Sequence, residues 1–191
     1  MIARGDVTLG ILAGGRASRL GGRDKAWLRR DDVPQVLRIV RRFASECGAV
    51  LASANRELPR YAEHGLVAVE DRIADIGPLG GLDALAAACQ TRWLLTIPVD
   101  IVDAHDGLLR TLAAAGGEGG VAEDEDGLQP LVALYRVAVM RDSIVSALAS
   151  QDCSVQAMQA RLPLPRVRFD GLRFGNLNTP GDLRLAGYAD D

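Results

Sequence analysis

The chain has 191 residues, 48% hydrophobic and 25% charged, which suits one globular domain with a single buried core. A net charge of −3 and only 4% aromatic residues exclude a general nucleic-acid binder, which needs a broad basic surface and stacking rings. Cys47, Cys89 and Cys153 are widely spaced and show no ligand spacing with His64 or His105, so reduced thiols are expected rather than disulfides or a zinc site.

Val7 to Ala13 is a compact apolar run stopping at Gly14-Gly15, which predicts a buried parallel strand opening into a glycine turn. From Pro34 to Cys47, residues Val36, Leu37, Val40, Phe43, Ala44 and Cys47 fall at helical spacing, with Pro34 suited to the first turn and Gly48 to the stop. Ala49 to Ala54 and Leu66 to Val69 predict the next strands, the second ending at Glu70-Asp71. A turn, Gly77-Pro78-Leu79-Gly80-Gly81, precedes an Ala/Leu-rich helix over Leu82 to Cys89. Trp93 to Pro98 is another buried strand, ending at Val99-Asp100, and Leu108 to Ala114 is helical. Gly120 to Ala122 and Leu131 to Tyr135 predict strands around Glu123 to Asp126, an acidic run expected to be a solvated hairpin tip. Val137 to Leu148 is an amphipathic helix, Arg166 to Phe169 a short strand, and Thr179-Pro180 opens a last helix.

Apolar strands separated by helices imply a Rossmann-like, three-layer α/β/α fold with a mostly parallel sheet, one domain over residues 1–191. Such sheets bind ligands beyond the carboxyl ends of their strands, where Gly14, Ser53, Asn55, Asp71 and Asp100 fall. The N-terminus leads directly into a strand and no apolar stretch is long enough to span a bilayer, so a cytoplasmic protein without a signal peptide is expected.

Leu12 to Lys25 (LAGGRASRLGGRDK) carries the strongest chemical signal. Glycines admit close backbone approach, their amides cradle phosphate oxygens, and Arg19 and Lys25 supply positive charge for a triphosphate. A plain glycine turn accounts for Gly14-Gly15 but not for a second pair, Gly21-Gly22, with Arg19 and Lys25 on either side. The string contains neither GxxxxGK[ST] nor GxGxxG. It resembles the LAGGxSxRMGxDK signature of the molybdenum cofactor guanylyltransferases (the MobA family), in the nucleotide-diphospho-sugar-transferase-like group. The resemblance continues in order through Ser53-Ala54-Asn55-Arg56, Glu70-Asp71 with Gly77 to Leu82, Pro98-Val99-Asp100, Gln129 to Tyr135, and Asn176-Leu177-Asn178-Thr179-Pro180. Leu20 stands where Met is usual. Ser53 stands where some members carry a nucleotide-contacting Asn, with Asn55 two residues on. Gly181-Asp182 replaces an acidic pair.

The resemblance implies a Mg²⁺-dependent enzyme that transfers GMP from GTP to Mo-molybdopterin and releases pyrophosphate. Such chemistry needs charge neutralisation and in-line positioning more than acid–base groups. Asp100 is the expected Mg²⁺ ligand, because a hard cation takes one or two carboxylates plus phosphate oxygens. Lys25 and Arg19 complete the catalytic set by holding the triphosphate and stabilising the leaving pyrophosphate. The nucleotide-binding set is Leu12, Ala13, Gly14, Gly15, Lys25, Ser53, Asn55, Asp71, Gly80, Gly81 and Asp100, with Leu12 to Gly14 offering backbone groups to base and ribose. Asp71, an acceptor when ionised, faces guanine N–H donors, the ribose or the metal. Gly80 and Gly81 either admit the nucleotide or simply form a turn. Asn176 and Asn178 border the acceptor side or cap the last helix, and Asn178 is a second candidate for the metal. Arg136, Arg161 and Arg166 are candidates for an anionic pterin. The implied partners are GTP and molybdopterin, with transient contacts to cofactor-synthesis or molybdoenzyme proteins, and neither nucleic acid nor membrane. Three alternatives stand beside this: a molybdopterin cytidylyltransferase, against which Asp24-Lys25 and the GPLGG block argue; a non-catalytic nucleotide or pterin carrier, which needs no metal carboxylate; and sugar-1-phosphate nucleotidyl transfer, for which the chain is short.

Overall fold

A computed structural model describes residues 2–14 and 24–188. In chain order the elements are β1 (Val7–Leu12), a 3₁₀ turn (Lys25–Trp27), β2 (Arg29–Arg30), β3 (Val33–Pro34), α1 (Gln35–Phe43), β4 (Ala49–Ser53) and α2 (Leu58–Glu63). There follow β5 (Val67–Val69), α3 (Pro78–Ala88), β6 (Trp93–Pro98), α4 (Leu108–Ala114), β7 (Gly119–Asp124), β8 (Gly127–Arg136), α5 (Val137–Ala149), α6 (Val155–Gln159), β9 (Arg166–Arg168) and α7 (Pro180–Leu185).

The main sheet has seven strands in the order β5-β4-β1-β6-β8-β7-β9. It is mostly parallel, as expected; β8 alone runs against its neighbours β6 and β7. Side chains alternate across each strand, so each face has its own core. Leu9 and Ile11 of β1 and Leu95 and Ile97 of β6 pack with Val36 and Phe43 of α1 and Leu112 of α4. Leu94, Ala133 and Tyr135 pack on the opposite face with Leu79, Leu82 and Leu85 of α3, Met140 and Ile144 of α5, and Met158 of α6. Gly10 of β1 lets α3 settle closely, since a Cβ there would lie 2.9 Å from Leu94 Cδ1 and 3.1 Å from Leu85 Cδ1.

Several boundaries differ from the sequence reading. α3 begins at Pro78, four residues earlier than expected, so Gly80 and Gly81 are helical and not a turn. Gly77, with φ of 66°, makes the bend, and Pro78 takes the first helical position, which needs no N–H. Pro34 caps α1 from outside, and that helix stops at Phe43. α2 and α6 were not anticipated; at six and five residues they are too short to show helical periodicity. The β2–β3 hairpin turns on Asp31 and Asp32, both at positive φ (50° and 59°), a primed two-residue turn written without the usual glycine. Of the Glu123 to Asp126 run only Glu125 and Asp126 form the hairpin tip: Glu123 and Asp124 belong to β7, paired with Leu128 and Gly127 of β8, and Asp124 is 1% exposed.

Candidate active site

The carboxyl ends of β4 and β5 and the start of α3 build one half of the site. Ser53 closes β4 and is buried; its hydroxyl donates to Asp71 Oδ1 at 3.2 Å. Asn55 grips the same residue twice, its Nδ2 donating to Asp71 Oδ2 at 2.9 Å and its Oδ1 accepting the Asp71 N–H at 2.9 Å. Gly80 and Gly81 face this cluster. A Cβ on Gly80 would lie 3.0 Å from Asp71 Oδ2, and one on Gly81 2.7 Å from Ser53 Oγ. Gly14 approaches from β1, with a built Cβ 3.3 Å from Asn55 Nδ2. Both helical glycines are therefore explained by space and not by a turn.

The carboxyl end of β6 builds the other half. Val99 N–H donates to the Leu12 carbonyl at 3.0 Å, which keeps the exit of β6 beside that of β1. Asp100 follows, and its Oδ2 lies 3.1 Å from Lys25 Nζ. The same ammonium donates to Asn178 Oδ1 at 2.8 Å. Lys25, Asp100 and Asn178 thus meet at one point although they lie far apart in sequence.

Each of the three is held locally. Asp24 caps the Lys25–Trp27 turn by accepting the Ala26 N–H at 2.9 Å, and burial raises its pKa. Leu28, just after that turn, packs with Leu177, Leu183 and Tyr188, tying the Lys25 segment to the segment carrying Asn178. Leu177 N–H donates to the Asp100 carbonyl at 2.8 Å, and Asn176 pairs with Ile101 as an antiparallel bridge. Thr179 and Asp182 form a capping box at the start of α7. Asp182 also accepts the Asn178 N–H at 3.0 Å; its hydrogen bonds with Thr179, then that from Asn178, lower its pKa. The acidic residue at the sequence departure Gly181-Asp182 is thus part of the support beneath Asn178.

Gly15 and Arg19 lie outside the described residues, as does Leu20. Among the backbone groups of Leu12 to Gly14, expected to serve base and ribose, the Leu12 carbonyl accepts the Val99 N–H at 3.0 Å and the Ala13 N–H donates to the Ser53 carbonyl at 2.9 Å. The arginines considered for the pterin are placed elsewhere. Arg136 pairs in register with Trp93, at the opposite end of β6 from Asp100, and binds Glu118 at 3.2 Å. Arg166 pairs with Glu123 at 3.6 Å on the β9 edge, and Arg161 donates to the Ala157 carbonyl and to Ser150 Oγ.

The sequence reading passed over two buried carboxylates. Asp83 accepts a fork of bonds from Arg72, at 2.6 and 2.9 Å. Asp124 accepts N–H groups from Phe174 at 2.8 Å, Asp126 at 2.9 Å and Gln129 at 3.0 Å. Asp83 carried a signal, being the single charge in an otherwise apolar helix. Asp124 was concealed among other acidic residues.

Asp100 and the amide oxygen of Asn178 suit a hard divalent cation, which prefers a carboxylate and neutral oxygens completed by substrate phosphates. No cluster of three or more His, Cys, Asp or Glu side chains able to hold a metal occurs among the described residues. No helix among them is long and apolar enough to cross a membrane.

Comparison with known proteins shows the family and the fold. Residues 9–162 match the family model described as a MobA-like NTP transferase domain. The molybdenum cofactor guanylyltransferase of Cupriavidus pinatubonensis is 35% identical over 96% of this chain and 98% of that protein. The protein of that name from Yersinia pseudotuberculosis is 30% identical over 94% of each. Among solved structures, molybdopterin-guanine dinucleotide biosynthesis protein A from Archaeoglobus fulgidus superimposes with a TM-score of 0.70 at 18% identity, covering 94% of this chain and 96% of that one. A 2-C-methyl-D-erythritol 4-phosphate cytidylyltransferase from Thermus thermophilus gives 0.68 at 17% identity, covering 93% and 96%. At such identities the structural matches show a shared fold.

Proposed function

The chain belongs to the MobA-like NTP transferase family, among the molybdenum cofactor guanylyltransferases, and on that premise we propose that it transfers GMP from GTP to Mo-molybdopterin with release of pyrophosphate. The observation that carries the proposal is the meeting of Lys25, Asp100 and Asn178 beyond the carboxyl end of β6, beside the Ser53–Asn55–Asp71 cluster. The first group supplies a cation and oxygen ligands for a triphosphate; the second supplies acceptors for a base.

In this reading the terminal phosphate of the pterin attacks the α-phosphorus of GTP. One P–O bond forms there, the bond to the bridging oxygen of the β-phosphate breaks, and pyrophosphate leaves with the electron pair. The attacking phosphate is already anionic, so no covalent enzyme intermediate is needed. Mg²⁺, held by Asp100 with Asn178 alongside, would neutralise phosphate charge. Lys25 stabilises the charge gathering on the departing pyrophosphate. Asp71, held by Ser53 and Asn55 with its carboxylate toward Gly80, accepts the N–H donors of guanine.

The test has two steps. Thermal stabilisation with Mg²⁺ and GTP, CTP, ATP or UTP should be largest with GTP, since a ligand of the native state stabilises by mass action. Pyrophosphate should then appear only when GTP and molybdopterin are both present. Preference for CTP would make the protein a cytidylyltransferase, and binding without pyrophosphate release would make it a carrier.

A further inference from the structure

Asp83 and Asp124 are the two carboxylates buried among the described residues, 4% and 1% exposed. Neither lies at the meeting point of Lys25, Asp100 and Asn178, and neither touches Asp71. Each instead pins a segment that carries a site residue.

Asp83 lies three residues after Gly80, so the two share a face of α3. Gly80 leaves room for the Asp71 carboxylate, and Asp83 takes both arms of the neighbouring Arg72 guanidinium at 2.6 and 2.9 Å. The Asp71–Arg72 pair thereby meets α3 at two points, a close approach of Asp71 to Gly80 and an ion pair of Arg72 with Asp83. A bidentate guanidinium–carboxylate contact fixes direction as well as distance.

Asp124 performs the matching task from the far side. Its Oδ2 accepts the Phe174 N–H, while its Oδ1 is occupied by Asp126 and Gln129. The Phe174 carbonyl in turn accepts the N–H groups of Val102 at 3.0 Å and Asp103 at 3.1 Å, just beyond Asp100. Two residues later the Asn176 bridge and the Leu177 bond to Asp100 carry the chain to Asn178.

We propose that Asp83 and Asp124 are positioning residues with separate clients: Asp83 sets the base-binding half of the site through Arg72 and Asp71, and Asp124 sets the triphosphate and metal half through Phe174, Asn176 and Asn178. The proposal rests on the two-sided reading given above. A carboxylate is needed at both places because each accepts on both oxygens. Asparagine, of the same shape, has one oxygen and turns a donor toward the remaining N–H.

The test is a pair of measurements, comparing GTP with CTP at saturating Mg²⁺ and varying Mg²⁺ at saturating GTP, on Asp83→Asn, Arg72→Gln and Asp124→Asn. Asp83→Asn and Arg72→Gln are expected to cut the preference for GTP over CTP about tenfold, the lower end for loss of a supporting partner, with the half-saturating Mg²⁺ concentration unchanged. Asp124→Asn is expected to raise the half-saturating Mg²⁺ concentration about tenfold and to leave the preference for GTP unchanged. Equilibrium titration of the nucleotides without molybdopterin should follow the same division, the advantage of GTP over CTP reduced in Asp83→Asn and the need for Mg²⁺ increased in Asp124→Asn. If Asp124→Asn does not fold, Asp124→Ser, which keeps an acceptor oxygen, takes its place. Variants that move both quantities together, or neither, overturn the proposal. Asp71→Asn and Asn178→Ala are the reference pair. If they split the two quantities while the buried carboxylates do not, only this inference fails; if they do not split them, it falls together with the site map beneath it.

Discussion

At Gly81 the site has no room for a methyl group, because a Cβ would sit 2.7 Å from Ser53 Oγ and 2.9 Å from Leu12 Cδ2. Gly81→Ala should fold but displace Ser53 from Asp71, weakening Mg·GTP in an equilibrium titration; unchanged affinity would show that Ser53 has no part in nucleotide binding. Lys25 has a different task. In the proposed reaction Lys25→Met removes the charge facing the leaving group, and it should lower kcat about 10²–10³-fold in a pyrophosphate-release assay, with the circular dichroism spectrum retained. Activity near that of the parent would take Lys25 out of the chemistry. Asp124 makes a prediction about pH. Burial alone would raise its pKa, but the N–H groups of Phe174, Gln129 and Asp126 outweigh that and hold it below the ordinary value of 3.8. A depressed carboxylate contributes stability above its unfolded pKa and loses it as pH falls through the folded one. Stability should therefore drop as acid is added below about pH 4, and the drop should be shallower in Asp124→Asn, measured by urea unfolding across that window.

α3 shows how a single element serves both packing and site. Leu79, Leu82 and Leu85 are all fully buried against the sheet, while Gly80 and Gly81 open space for Asp71 and Ser53. Leu85→Ala is expected to cost about 2–5 kcal/mol in urea unfolding, as for other large-to-small changes in a core. A loss well under 1 kcal/mol would mean that α3 is not part of the cooperative core. α7 is held more lightly, by its capping box and by Leu183. Thr179→Ala should cost about 1 kcal/mol locally, visible as faster hydrogen exchange from Asn178 onward. The central strands were legible because a short apolar run bounded by turn residues reads as a buried strand: β6 has the predicted ends, and β1 and β4 differ by one residue, whereas the two-residue β2 and β3 and the polar ends of β7 and β8 carry no such run. The start of α3 was not legible, because Gly80 and Gly81 look like a turn until Ser53 and Asp71 are seen to occupy the space that side chains would need.

Across the whole molecule the three cysteines divide by burial. Cys47 and Cys89 are buried and Cys153 is partly exposed. Burial, then the nearby Glu46 carboxylate, pushes the Cys47 thiol up to about 12, so it stays protonated and unreactive in the native state. A thiol reagent should label Cys153 first and reach Cys47 and Cys89 only after unfolding, followed by mass spectrometry of the labelled peptides. Equal native rates at all three would contradict the packing described here. The same long-range folding assembles the site, since the Lys25–Asn178 contact joins residues 153 positions apart.

Local chemistry in the sequence was enough to determine β1, β4 and β6, the mostly parallel sheet and the family, and to single out Lys25, Asp71, Asp100 and Asn178 as candidates. These follow from side-chain type, hydrophobic pattern and motif order, which are properties of short stretches. Tertiary structure alone decided that Asn55 holds Asp71, that Arg136, Arg161 and Arg166 lie in other contacts, and that Asp83 and Asp124 are buried acceptors and not surface charge. Each of those facts depends on which N–H or guanidinium group a fold brings within about 3 Å of a carbonyl or carboxylate, and that distance is set by packing between elements remote in the chain.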